Sequence, residues 1–161
     1  MFTGALAASY YGTPRTTMDI DIVAEVARKE SRARLISALK IVGLKVDRRR
    51  IDAALRSSYR IVTFRDTKTP LTVDIILSSR KLEKRTGSIL GLPTFYQTAK
   101  DLILAKLRMI KATVPRERAL KDEDDVRAIL RHTRVQMKAL RKQARKSNTI
   151  LILEAIAPSD H

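Results

Sequence analysis

The run Leu71–Leu77, LTVDIIL, constrains this chain more than any other stretch. Side chains alternate between the two faces of a strand. Leu71, Val73, Ile75 and Leu77 therefore share one face, and Thr72, Asp74 and Ile76 share the other. Apolar residues on both faces lead us to expect a strand covered on both sides. Tyr59–Arg65, YRIVTFR, is a second β-rich run, and the polar DTKTP between the two reads as a hairpin turn. A third strand is expected over Asp19–Ala24 from Ile20, Ile22 and Val23.

The remaining pattern is helical. The stretch from Gly4 to about Gly12 reads as a loop and then a short helix, closed by a turn at Gly12-Thr13-Pro14. An amphipathic helix is expected from Lys29 to Ile41, ended by Gly43, and a shorter one around Ile51–Leu55. Thr98-Ala99-Lys100-Asp101 resembles a capping box, opening a helix to Ala112 ahead of Pro115. A second long helix is expected from Lys121 to Lys146, and Ile150–Ile156 is a short helix or strand. The expected fold is α/β (α+β): one domain over residues 1–161. A small mixed sheet flanked by helices fills residues 1–97, and a helical segment fills 98–157.

Aromatic residues make up only 4% of the chain, so the core must be built from Leu, Ile, Val and Ala. No cysteine is present, which excludes disulfides, a thiolate metal site and a thiol nucleophile. No apolar run is long enough to span a bilayer, and no signal-peptide pattern is seen, so no membrane role and a cytoplasmic location are expected. Thirty-three Lys and Arg face 17 Asp and Glu, a net charge of +16. Such a surface attracts polyanions.

Against that charge, two aspartates inside the apolar run MDIDIV stand out. Asp19 and Asp21 lie two apart on a strand and so present their carboxylates on one face. Close like charges repel unless a cation lies between them, and hard ions such as Mg²⁺ take oxygen ligands of this kind. Asp74 lies within another strand, and a neighbouring strand could bring it to the same spot. Three aspartates on adjacent strands are the minimum equipment for two-metal phosphoryl transfer. A glycine ahead of a helix, as at Gly4-Ala5, lets backbone N–H groups approach a phosphate.

Taken in order, TGALAASYYGTPRTTMDIDIV, LTVDIIL, TAKDLILAKL and KDEDDVRAIL resemble the minimal nucleotidyltransferase fold, the DNA polymerase β-like superfamily. Within it they are most similar to the AbiEii-like group of toxin and uncharacterised transferases. The resemblance covers roughly Gly4 to Leu130. It implies Asp19, Asp21 and Asp74 as ligands for two Mg²⁺ ions, with Asp74 also a base for the incoming hydroxyl. It implies nucleotide contacts at Gly4, Ala5, Arg15, Thr17 and Lys106, and a further acidic motif at Asp122 and Asp125. The substrate it implies is a nucleoside triphosphate, and an antitoxin protein is an implied partner. The acceptor is left open between RNA, a protein and a small molecule. Ala5 replaces the family's second Gly or Ser. The family's first helix and strand have no counterpart in the three residues before Gly4. The sheet edge beside Asp19–Ala24 is therefore expected to lack a neighbour, a gap that a homodimer would fill.

Two further readings concern binding without turnover. Arg127, Arg131, Arg134, Lys138, Arg141 and Arg145 recur at steps of four and three, and on one helix would form a basic stripe suited to an RNA backbone. The whole chain could then be a nucleic-acid-binding or partner protein on a degenerate transferase scaffold. Each candidate also has a plainer reading. Asp19 and Asp21 could be solvated at a strand end, and Lys106 could lay its stem along an apolar face. Asp122 and Asp125 could complement a helix dipole.

Overall fold

The two β-rich runs pair as the hairpin their pattern implies. Strand β2 (Ile61–Arg65) lies antiparallel to β3 (Thr72–Ser78), and β1 (Asp19–Glu25) joins β3 in parallel, giving the order β1-β3-β2. The computed structural model describes residues 1–12, 14–65 and 69–157. Residues 66–68 of the hairpin turn and Thr13 of the earlier turn lie outside the described residues. Contacts divide the chain into two units. The first is Met1–Leu6 with Thr16–Gln97, and the second is Ala7–Arg15 with Thr98–His161. The protein is a mixed α/β chain with a helical C-terminal half.

In the first unit, α2 (Lys29–Ile41) and α3 (Arg48–Arg56) pack on one face of the three-stranded sheet. Ile36, Leu39, Ile51 and Ala54 from the helices join Val62, Phe64, Ile75 and Leu77 from the strands in one aliphatic cluster. Asp47 caps α3, its side chain accepting from the Arg49 N–H at 2.8 Å. The opposite face is not closed in the same way. Thr63, Thr72, Asp74 and Ile76 are half-buried, so β3 has one core face and one partly open face rather than two covered ones. The reason is chemical: an aliphatic layer over Asp74 would bury a carboxylate without a charged partner.

The expected gap beside β1 does not occur. Residues Met1–Thr3 run between β1 and a second hairpin. The Val23 N–H donates to Met1 O and the Thr3 N–H to Asp21 O, both at 2.9 Å. On the other side the Phe2 N–H donates to Phe95 O at 2.8 Å and the Gln97 N–H to Phe2 O at 2.9 Å. The backbone groups of β1 thus find partners within the chain, as buried polar groups must. Burial, and then the nearby charge of Lys84, hold the Met1 α-amino pKa below its ordinary value.

That second hairpin, β4 (Lys84–Ile89) and β5 (Leu92–Gln97), has no counterpart among the expected elements. Gly87 and Pro93 hide it, since both residues are depleted in strands. Leu90 and Gly91 turn it with φ of 49° and 79°, the pair of left-handed residues that a tight hairpin of this kind requires.

In the second unit α4 (Ala99–Ala112) packs against α5 (Leu120–His132), α6 (Met137–Lys146) and α7 (Ile150–Ile156). Thr98 caps α4 as expected: its hydroxyl accepts from the Asp101 N–H and donates to the Asp101 carboxylate. Leu102, Ile103, Leu107, Val126, Ile129, Leu140 and Leu153 are fully buried. The long helix expected over 121–146 is in fact two. Thr133 takes an extended conformation at φ −132° and ψ 131°, and its hydroxyl donates to Tyr11 O at 2.8 Å. A β-branched residue with a tertiary hydrogen bond outside the helix ends α5 there.

Candidate active site

The pairing register decides where the three acids fall. Asp21 is the direct partner of Asp74 across the β1–β3 ladder, and Asp19 is the partner of Thr72. Thr63 is the partner of Asp74 on β2, and Arg65 the partner of Thr72. Residues in register share a face, as do residues two apart. Asp19, Asp21 and Asp74 therefore lie on the same, partly open face of the sheet, with Thr63, Thr72 and Arg65 among them. Asp19 is exposed, while Asp21 and Asp74 are half-buried.

Hydroxyls hold two of these carboxylates. Thr72 Oγ1 donates to Asp19 Oδ1, and Thr63 Oγ1 donates to Asp74 Oδ1. No group of three or more His, Asp or Glu side chains among the described residues is arranged to hold a metal ion as it stands. The donor set fits a hard divalent cation in its chemistry, because it consists of carboxylate and hydroxyl oxygens on one face. Each threonine bonds only Oδ1 of its carboxylate, so for all three acids to share an ion their side chains would have to draw together from these positions.

Gly4 opens α1 (Gly4–Tyr11), with the helix starting at the glycine rather than after a loop. Its φ is +57°, and a Cβ there would lie 1.9 Å from Asp21 Oδ2. The Asp21 carboxylate thus lies against the Gly4 backbone at the start of a helix, where the dipole favours negative charge. The Thr3–Asp21 backbone bond fixes this approach. Ala5 is buried, so its side chain is part of the packing. Thr17 makes a turn before β1: its hydroxyl donates to Asp19 O and accepts from the Asp19 N–H.

Arg15, Lys106, Asp122 and Asp125 belong to the second unit and form an ion cluster there. Lys106 Nζ lies 2.8 Å from Asp122 and 2.7 Å from Asp125, and the Lys106 side chain is only 6% exposed. Arg15 grips Asp125 with two parallel bonds of 3.0 Å each. Asp122 and Asp125 thus balance two basic residues, and the Lys106 charge is engaged by both carboxylates.

The basic stripe is spread over two helices and their link. Arg127 and Arg131 are on α5, Arg134 is in the link, and Lys138, Arg141 and Arg145 are on α6. Arg127 pairs with Glu123 and Asp124, and Arg141 pairs with Glu154. Arg131, Arg134, Lys138 and Arg145 make no ion pair among the described residues.

Sequence reasoning did not single out Thr63 and Thr72. The signal was present: each is a threonine in a strand whose register neighbour is an acid, but only the pairing register reveals it. A scan against protein-family models and a search of curated proteins each find no match. Among the described residues no helix is long and apolar enough to cross a membrane.

Proposed function

We propose that the protein is a Mg²⁺-dependent nucleotidyltransferase that moves a nucleoside monophosphate from a nucleoside triphosphate to a hydroxyl acceptor. The observation that carries this reading is the row of three aspartates on one half-open sheet face, with Asp21 directly opposite Asp74. The Gly4 helix start against Asp21 adds to it.

In this reading Asp19, Asp21 and Asp74 would hold Mg²⁺ and with it the triphosphate, and Asp74 also faces the acceptor. The acceptor oxygen forms a bond to the α-phosphorus while the bond from that phosphorus to the pyrophosphate oxygen breaks. The hydroxyl proton passes to the Asp74 carboxylate, and pyrophosphate leaves. Bound Mg²⁺ supplies charge neutralisation for the attacking and leaving oxygens. Thr63 and Thr72 orient Asp74 and Asp19 before the ion arrives. The nucleotide contacts at Arg15 and Lys106, and an antitoxin partner, rest on the family resemblance alone.

A second reading keeps the scaffold without turnover. The hydroxyl-bonded acids and Ala5 favour it. Incubation with radiolabelled nucleoside triphosphates, Mg²⁺ and total RNA separates the two. The transferase reading expects label on an acceptor, reduced by at least about a hundredfold in Asp19→Ala/Asp21→Ala, the order of loss when a transition-state contact is removed. Label that survives the double substitution refutes the site. No label with any acceptor, alongside RNA retention that falls as salt rises, supports the binding scaffold.

A further inference from the structure

β2 is the outer strand of the three-stranded sheet. The Leu77 N–H donates to Arg60 O at 2.8 Å, which makes Arg60 and Leu77 a hydrogen-bonded pair. Such pairs alternate along an antiparallel ladder. Thr63 and Asp74 are therefore a non-hydrogen-bonded pair, and the Thr63 carbonyl points away from β3, off the sheet's outer edge. Arg50 reaches that carbonyl, with Nη2 at 3.4 Å. Its guanidinium accordingly stands at the outer edge, level with Asp74.

Other features of this edge have the same character. Arg65 lies on the acid face two residues along β2, is exposed, and has no partner among the described residues. Arg48 and Arg49 are exposed on α3, beside Arg50 in sequence. The carboxylates of α3 and its cap are already engaged: Asp47 accepts from the Arg49 N–H, and Asp52 pairs with Arg32 at 2.8 Å. Tyr59, just ahead of β2, is 81% exposed. Exposed arginines along β2 and α3 and an exposed ring ahead of β2 are the kinds of group that single-stranded nucleic acid binds: cations for phosphates and a flat face for a base.

We propose that the outer edge of β2 binds the phosphodiester backbone of a nucleic-acid strand through Arg50 and Arg65, with Tyr59 stacking on a base. It thereby delivers the strand's terminal hydroxyl to Asp74. This inference rests on the transferase reading, and it assigns that reading's acceptor to the class of nucleic-acid strands. The acceptor approaches from the β2 side because Asp74, the proton acceptor, lies on the strand next to β2, whereas Asp19 and Asp21 lie one strand further in.

The test is fluorescence anisotropy of short single-stranded RNA and DNA oligonucleotides of the same sequence, titrated with the full chain over a salt series. Arg50→Ala/Arg65→Ala is expected to weaken binding about tenfold and to flatten the log–log salt slope by about 1.4, some 0.7 per lost phosphate contact on a single strand. Arg65→Ala alone is expected to flatten it by about 0.7, and it removes no hydrogen bond that could hold the fold. Tyr59→Ala is expected to weaken binding about tenfold with the slope unchanged. Tighter binding of RNA makes RNA the acceptor, and equal binding assigns recognition to the backbone alone. Binding that is unchanged in both arginine variants overturns the inference. So does a loss that appears instead in Arg134→Ala/Lys138→Ala on the C-terminal helices. The two levels fail separately. Label transfer by the wild type with unaltered strand binding in the arginine variants removes only this acceptor site. Strand binding that depends on Arg50 and Arg65, with no label transfer from any triphosphate, removes the transferase reading.

Discussion

Asp125→Ala is expected to destabilise the helical unit by about 3 kcal/mol, read as a loss of denaturant midpoint with unchanged m-value. Asp125 is shared by Lys106 and Arg15, and both side chains of the Lys106–Asp125 pair are less than a tenth exposed. Removing it leaves a buried ammonium with Asp122 alone and frees Arg15 from a bidentate clamp. Breaking one side of a buried pair costs about 3–5 kcal/mol, because the surviving charge remains desolvated. The remaining Asp122 bond places this case at the lower end. The double substitution Lys106→Met/Asp125→Asn is expected to be less damaging than Asp125→Ala, since it removes both charges and nearly keeps the volume. A double variant at least as unstable as the single one would show that the cluster is held by something other than charge balance.

Gly4→Ala is expected to act on both stability and function. The left-handed φ of +57° costs a non-glycine residue about 1–2 kcal/mol. The added methyl also falls within 1.9 Å of Asp21 Oδ2, so the carboxylate or the helix start must move, an overpacking cost of about 1–3 kcal/mol. Thermal unfolding of Gly4→Ala should therefore begin well below that of the wild type, and under the proposed transferase function, label transfer should fall even at temperatures where the variant is folded. Unaltered transfer in a folded Gly4→Ala protein would mean that the Gly4–Asp21 contact has no part in the site.

How much of this was legible in the sequence differs from element to element. LTVDIIL and YRIVTFR announced their strands because alternation and β-branching act locally, and Thr98 announced α4 because an N-cap and its partner Asp101 are contained in four residues. The acids of MDIDIV could be placed on one face from spacing alone. What spacing could not provide was register: that Asp21 stands opposite Asp74, and that Thr63 and Thr72 hold the carboxylates, follow from pairing between distant segments. The β4–β5 hairpin was hidden by Gly87 and Pro93, whose intrinsic preferences oppose the strand that tertiary pairing imposes. Met1–Thr3 was too short to carry any periodic signal, yet its hydrogen bonds join β1 to β5. The single basic stripe rested on an unbroken helix, and the bond from Thr133 to Tyr11, over a hundred residues away in the chain, could not be foreseen from local pattern.

The central claim is that Asp19, Asp21 and Asp74 together bind a divalent cation on the open face of the sheet. Titration with Mn²⁺, followed by water-proton relaxation, tests it without relying on turnover. Saturable Mn²⁺ binding that Mg²⁺ displaces, weakened at least about tenfold in both Asp21→Asn and Asp74→Asn, is the predicted result. Absence of saturable binding, or binding indifferent to both substitutions in proteins that remain folded, would contradict it.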